Sequence, residues 1–165
     1  MPAIRFSSKL ADAEACTAII RMLPDYFDDH AREQTRLDVR RHGAWLLEDT
    51  GGLVSLVVAE RRGRVAEILW MATRPDARRH GHGGTLLKHV LSELQREGVV
   101  MVEVKTLDAS AEYEPYEATR AFYERMGFVH LDTIDPYAGW EPGNPCAIYA
   151  LALSAGEIVK APPGV

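Results

Sequence analysis

Nowhere in the 165 residues does an apolar run approach the ~20 needed to cross a bilayer, so no membrane partner is expected. The opening MPAIRFSSKL lacks an apolar h-region, and no secretory signal is read there. Cysteine is scarce. Cys16 and Cys146 lie far apart, in no metal or redox spacing, and are expected to be reduced, buried thiols of a cytoplasmic protein. Internal repeats and low-complexity tracts are missing. So is any excess of positive charge: the net charge is −5 and the isoelectric point near 5.7, which weighs against a nucleic-acid partner. What is present is an ordinary globular composition, 47% hydrophobic and 26% charged, long enough for one core without staples. A single domain over residues 3–153 is expected, with SAGEIVKAPPGV (154–165) as a frayed tail.

The charge is unevenly spread. Arg61, Arg62, Arg64, Arg74, Arg78 and Arg79 fall in one segment, while Asp25, Asp28 and Asp29, then Asp108, Glu112, Glu114 and Glu117, form two acidic clusters. A local basic patch on an acidic chain suits a small polyanion better than a long one.

The apolar spacing alternates between two periods. AIRFS (3–7) reads as a strand. DAEACTAIIRML (12–23) has helical spacing and stops at Pro24, and HAREQTRLDVRR (30–41) is a second helix. AWLLED (44–49), LVSLVVAE (53–60) and RVAEILWMAT (64–73) are strands separated by TGG and RRG, hence antiparallel hairpins. In GTLLKHVLSELQREG (84–98) a stripe of Leu86, Leu87, Val90, Leu91 and Leu94 marks a helix closed by Gly98. VVMVEVKTL (99–107) follows as a strand, and a strand–helix–strand unit favours a parallel pair. YEATRAFYERMGF (116–128) is helical, with Ala118, Ala121, Phe122 and Met126 inward. VHLDTI and CAIYALAL close the sheet across the loop DPYAGWEPGNP (135–145). The result is a mixed α/β fold: a mostly antiparallel sheet of about seven strands, one parallel pair and about four helices.

RPDARRHGHGGTLLKHVL (74–91) sets three arginines, two histidines and three glycines ahead of an apolar helix. Glycines so dense sacrifice local stability, which implies that something approaches their backbone. A strand end, a glycine loop and a helix start present unpaired N–H groups to an anion, and the helix dipole adds positive potential. Arg78 and Arg79 supply mobile charge, so the segment reads as a phosphate or pyrophosphate cradle. A Walker lysine is missing, and the loop follows an antiparallel meander rather than opening a dinucleotide fold. His80, His82 and His89 have no Cys or carboxylate nearby to complete a metal set, so no metal is expected.

Arg78-x-x-Gly81-x-Gly83 resembles the Q/R-x-x-G-x-G/A signature of the GNAT superfamily of N-acetyltransferases, which binds the pyrophosphate of coenzyme A. RAFYERMGF (120–128) resembles that family's late-helix signature, and the order of strands and helices over residues 3–153 matches the family's order. The resemblance implies acetyl-CoA as co-substrate and an N-acetyltransferase activity. It implies that backbone groups of Met71 and Thr73 meet the pantetheine arm, and that the N–H groups of Arg79, His80, Gly81, His82, Gly83 and Gly84, with the Thr85 hydroxyl, hold the pyrophosphate. Tyr116 stands where many members carry an asparagine that touches the pantetheine.

The same resemblance places Glu67 where related enzymes have a catalytic glutamate, and Tyr123 where they place the acid for the departing thiolate. An alkyl ammonium with pKa about 10.4 costs about 4 kcal/mol to deprotonate near neutrality, so a base is useful. Counting two strand pairs back from Met71 puts Glu67 on the face of Met71 and Thr73, with Glu103 as the reserve base. Phe122 is expected to take the core stripe and to leave Tyr123 on the helix shoulder. Neither cysteine is marked as a nucleophile, so attack is direct, in a ternary complex. The acceptor is expected to be a small-molecule or lysine-like amine, drawn by Asp108, Glu112, Glu114, Tyr113, Tyr116 and Trp140. A non-catalytic acyl-CoA sensor is the alternative, and a homodimer is compatible with the sequence.

Overall fold

Short glycine turns fold the middle of the chain into a meander of β2 (Ala44–Asp49), β3 (Gly52–Arg62) and β4 (Val65–Thr73). This is seen in a computed structural model that describes residues 1–153. The proposed tail, 154–165, lies outside the described residues. β1 (Ala3–Ser7) pairs with β2 on one side of the meander, and β5 (Met101–Leu107) continues the sheet on the other. β7 (Cys146–Ala152) and β6 (Val129–Ile134) complete it, giving the order β1-β2-β3-β4-β5-β7-β6. β4 and β5 run parallel, because helix α3 (His82–Arg96) crosses between them, while the remaining pairs are antiparallel. β5 starts later than its apolar run. The Val99 and Val100 amides are taken by the carbonyls of Leu94 and Arg64, which anchor the crossover instead.

Helices cover both faces. α1 (Leu10–Arg21) and α2 (Asp29–His42) lie on one, where Ile20, Val39, Leu46, Leu56 and Val58 form a buried cluster. α1 ends ahead of Pro24, as a residue without an N–H requires, and Asp28 caps α2 by accepting from the Ala31 amide. α3 and α4 (Pro115–Arg125) lie on the other face. The α3 stripe Leu86, Leu87, Val90, Leu91 and Leu94 is buried there against Val57, Val102 and Val104. Each such leucine contributes about 1.5–3 kcal/mol. No helix among the described residues is long and apolar enough to cross a membrane.

α4 is turned relative to expectation. Ala118 is exposed, and Tyr123 rather than Phe122 is the helix's most deeply buried aromatic residue. Arg120 contributes to this setting: its guanidinium donates to the Leu107 carbonyl at the end of β5, which rolls Tyr116, Thr119 and Tyr123 inward. Phe122 and Met126 still pack against the core from its edge.

Candidate active site

β4 and β5 pair only from Val65↔Met101 to Ile68↔Val104. Beyond that point β4 runs on to Thr73 and β5 to Leu107 without pairing to each other. The Arg74 amide donates to Val54 and the Ala72 carbonyl accepts from Ser55 Oγ, so the peptide groups of Ala72 and Arg74 turn toward β3. Peptide directions alternate along a strand, so those of Met71 and Thr73 turn into the opening toward β5. Unpaired strand edges inside a sheet are costly unless something occupies them.

The chain leaves β4 through a single 3-10 turn, Pro75–Ala77, into the glycine loop at the mouth of this opening. Arg79 and Gly81 both have left-handed backbone, at φ 65° and 78°. A non-glycine residue held there is strained by about 1 kcal/mol or more, a feature concentrated at ligand sites. α3 starts at His82, earlier than its apolar stripe, with Gly81 as the N-cap and no side chain capping it. Thr85 is therefore no cap. It lies in the first turn, exposed, its own amide bonded to the Gly81 carbonyl. Among the described residues the amides of Arg79, His80 and Gly81 have no partner, and the first helical turn leaves those of His82, Gly83 and Gly84 free. A Cβ at Gly83 would come within 3.2 Å of Met71 Cε and 3.3 Å of Thr73 Oγ1, so glycine lets the helix start sit close to β4 without crowding these side chains. His80 and His82 stand 6.1 Å apart between ring centroids. Among the described residues no group of three or more His, Cys, Asp or Glu could hold a metal ion.

Two residues with hydroxyls lie on the α3–α4 side of the sheet near this region. Tyr123 is 6% exposed, wedged edge-on between Phe122 and Phe128, and its hydroxyl makes no hydrogen bond among the described residues. Burial pushes its pKa well above the ordinary tyrosine range. It stands in the core rather than on the helix shoulder. Thr106, on the stretch of β5 that has left β4, is 5% exposed, and its Oγ1 has no partner either. Sequence reasoning passed over it.

Glu67 is on the other face. The β3–β4 register shifts between Val58 and Ala59, which oppose Trp70 and Ile68, so Leu69 is an inserted residue. A bulge inverts the alternation beyond it. Ala66, Ile68 and Met71 pack toward α3 and α4, whereas Leu69, Trp70 and Ala72 pack toward α1 and α2. Glu67 therefore lies opposite Met71 and Thr73, not beside them; uninterrupted counting overlooked the extra residue. Its carboxylate accepts from Lys105 Nζ at 2.7 Å and from Arg62 at 2.8 Å. Lys105 also binds Glu103, at 2.9 Å, beneath the Tyr137 ring of the β6–β7 connection.

An aromatic strap crosses the α1–α2 end. Tyr113 donates to the Asp25 carbonyl at 2.8 Å and Tyr116 to the Tyr26 carbonyl at 2.7 Å. Burial pushes the Tyr116 pKa up to about 12. The Tyr26 ring packs on Tyr116 and carries the Arg78 guanidinium 4.9 Å from its centroid. Arg78 is thus engaged with the α1–α2 connection. Cys16 and Cys146 are both free and buried, and burial pushes the Cys146 thiol up to about 11.

Solved structures share this architecture. The ribosomal-protein-S18-alanine N-acetyltransferase of Escherichia coli superposes with a TM-score of 0.76 at 21% identity, covering 98% of this chain and 99% of that one. Ard1 of Thermoplasma volcanium gives 0.74 at 20% identity, over 93% and 99% of the two chains. An aminoglycoside 6'-N-acetyltransferase complexed with coenzyme A gives 0.72 at 14% identity, over 95% and 99%. Among curated proteins none matches the sequence. The model of the acetyltransferase (GNAT) domain matches residues 40–130, more than half of the chain. That span holds the parting strands, the glycine loop and the helix bearing Tyr123, and on this match the chain belongs to the GNAT acetyltransferase family.

Proposed function

We propose that this protein transfers an acetyl group from acetyl-CoA to a primary amine, directly and within a ternary complex. The observation that carries the reading is the parting of β4 from β5 beyond Ile68 and Val104, with unpaired amides gathered at its mouth. A pantetheine arm carries amides of its own and fits as a surrogate strand beside Met71 and Thr73. The amides from Arg79 to Gly84, with the Thr85 hydroxyl and the dipole of α3, suit a diphosphate. When bound, acetyl-CoA supplies a thioester whose carbonyl is open to attack.

The remaining steps belong to the chain's own side chains. Tyr123 offers its hydroxyl to the departing sulfur; with its high pKa it serves chiefly as a hydrogen-bond donor. Glu67, with Glu103 beside it, takes the proton of the attacking amine from the α1–α2 side of the sheet. A thiol at the pKa of Cys146 is almost wholly protonated near neutrality, which supports transfer without an acyl-enzyme. Asp25, Asp28, Glu112 and Glu114 flank the aromatic strap and favour a cationic acceptor, a polyamine-like, aminoglycoside-like or lysine-like molecule.

Calorimetry of the purified chain with acetyl-CoA, followed by acceptor-dependent thiol release over a panel of such amines, tests this. Binding without release would favour a sensor, and no binding would remove the reading altogether.

A further inference from the structure

Glu67 and Glu103 are register partners in the parallel β4–β5 pair, and Lys105 lies two residues past Glu103 on the same face. All three side chains are largely withdrawn from water, at 13%, 25% and 18% exposure. Two carboxylates so close repel each other, and such a pair tends to share one proton unless a cation lies between them. Lys105 Nζ lies between them, 2.7 Å from Glu67 and 2.9 Å from Glu103. The other groups around Glu67 do not replace it. From β3, Arg62 reaches Glu67 but is half exposed and also lies 4.0 Å from Glu60, so solvent screens it. From the β6–β7 connection comes the uncharged ring of Tyr137, and from β7 the buried thiol of Cys146. Asp108, further along, is engaged with Ser110 and Thr133.

We propose that Lys105 is a positioning residue: its ammonium clamps Glu67 and Glu103 at the vertex of the parted strands and cancels their mutual repulsion, so that either can receive the acceptor's proton. The inference rests on the acetyl-transfer reading and adds to it a proton acceptor made of two carboxylates. Lys105 is suited to the part. Burial opposes its charge, yet its hydrogen bonds to Glu67 and Glu103 outweigh burial and hold the ammonium well above the ordinary lysine range. Its location also matters: Val104, its chain neighbour, makes the last pair with β4, so the clamp sits where the opening begins.

The test compares the intact chain with Lys105→Met, Lys105→Gln and Lys105→Arg. Carbon-13 NMR of glutamate side-chain carboxyls needs no acceptor. In the Met and Gln variants one of the two carboxyls should titrate about one pH unit higher than in the wild type, and in the Arg variant neither should move. In thiol release with acetyl-CoA and the panel amine the wild type uses best, the acidic limb should shift by the same amount. On the acidic limb, below the wild-type midpoint, activity should fall about tenfold, while the alkaline plateau and the KM for acetyl-CoA stay unchanged. The proposal is overturned if the carboxyls titrate as in the wild type, or if the rate falls equally at every pH, as it would for a merely structural lysine. Should the wild type release no thiol with any amine, the acetyl-transfer reading fails, while the NMR titration still decides whether Lys105 holds the pair.

Discussion

Ile68 and Val104 are the last partners of the parallel pair, and the groups proposed to meet the coenzyme all lie beyond them. The backbone of β4 past Ile68 is paired with β3 on one edge only, and Trp70 adds a hydrogen bond to Asp38 of α2 at 2.7 Å. Ser55 contributes there, bonding both the Ala72 carbonyl and the Thr73 hydroxyl at 2.9 Å.

Gly83→Ala separates binding from folding. Alanine is favoured over glycine by about 1 kcal/mol within a helix, and flexible Met71 Cε can yield to the new methyl, though Thr73 cannot. The melting temperature should move by only a few degrees, whereas the Kd for acetyl-CoA should rise about tenfold, or 1.4 kcal/mol. Calorimetry beside thermal denaturation reads both. Unchanged affinity would detach this loop from the coenzyme.

The two unpartnered hydroxyls predict a matching pair of results. Removing the buried, unpartnered Thr106 hydroxyl can stabilise the free protein by up to about 1 kcal/mol, and removing the Tyr123 hydroxyl, which has no protein partner among the described residues, costs it little. Tyr123→Phe should therefore match the wild type in urea melts, and Thr106→Val should match or exceed it. Tyr123→Phe should lower kcat about 100-fold with little change in the KM for acetyl-CoA. Thr106→Val should weaken coenzyme binding about fivefold, the worth of one neutral hydrogen bond. Wild-type kinetics in both variants would leave these groups without a role.

The aromatic strap makes a prediction about motion. Tyr113 and Tyr116 hold the carbonyls of Asp25 and Tyr26, and each bond is worth about 1 kcal/mol. In the double variant Tyr113→Phe, Tyr116→Phe, amide exchange over residues 25–28 should speed up about tenfold or more, with protection in β3 and β5 unchanged. Loss of protection throughout the sheet would mean that the strap supports the fold rather than the loop.

Acid stability has an identifiable contributor. Asp12 accepts from Arg5 and Ser7, and these bonds hold its pKa at about 2 against an ordinary 3.8. The folded state thus binds this proton less readily than the unfolded chain does. The stabilisation is complete above 3.8 and is lost as the pH falls from there toward about 2. Arg5 is 40% exposed, so solvent screening limits the worth of the pair to about 1–2 kcal/mol. Urea melts of Asp12→Asn and the wild type should differ by that amount near neutrality and converge at the acid end.

Local signals in the chain carried most of the fold. Apolar spacing, Pro24 and the glycine turns account for the strands and helices to within a few residues, because each is a nearest-neighbour effect. The candidate site was legible as far as it lies in backbone: the loop from Arg78 to Gly84, read from the sequence as an anion cradle, is at the mouth of the parted strands, and its ligand remains a proposal. What depends on rotation or insertion was not. The roll of α4 follows from Arg120 reaching the end of β5, a contact between distant segments, and the face of Glu67 depends on the bulge at Leu69. Lys105 carried a visible signal, two residues from Glu103 on one strand face, but only the parallel register reveals that Glu67 joins them.

The inserted Leu69 has a chemical corollary. With Glu67 on one side of the sheet and the α3 amides on the other, the two substrates of the proposed reaction approach through separate doors, and the sheet is the wall between them. They can touch only through the slit that the diverging strands leave. Deleting that one leucine would turn Glu67 into the coenzyme's own room, where its negative charge would confront a partner of the same sign, while Glu103 on β5 stayed behind.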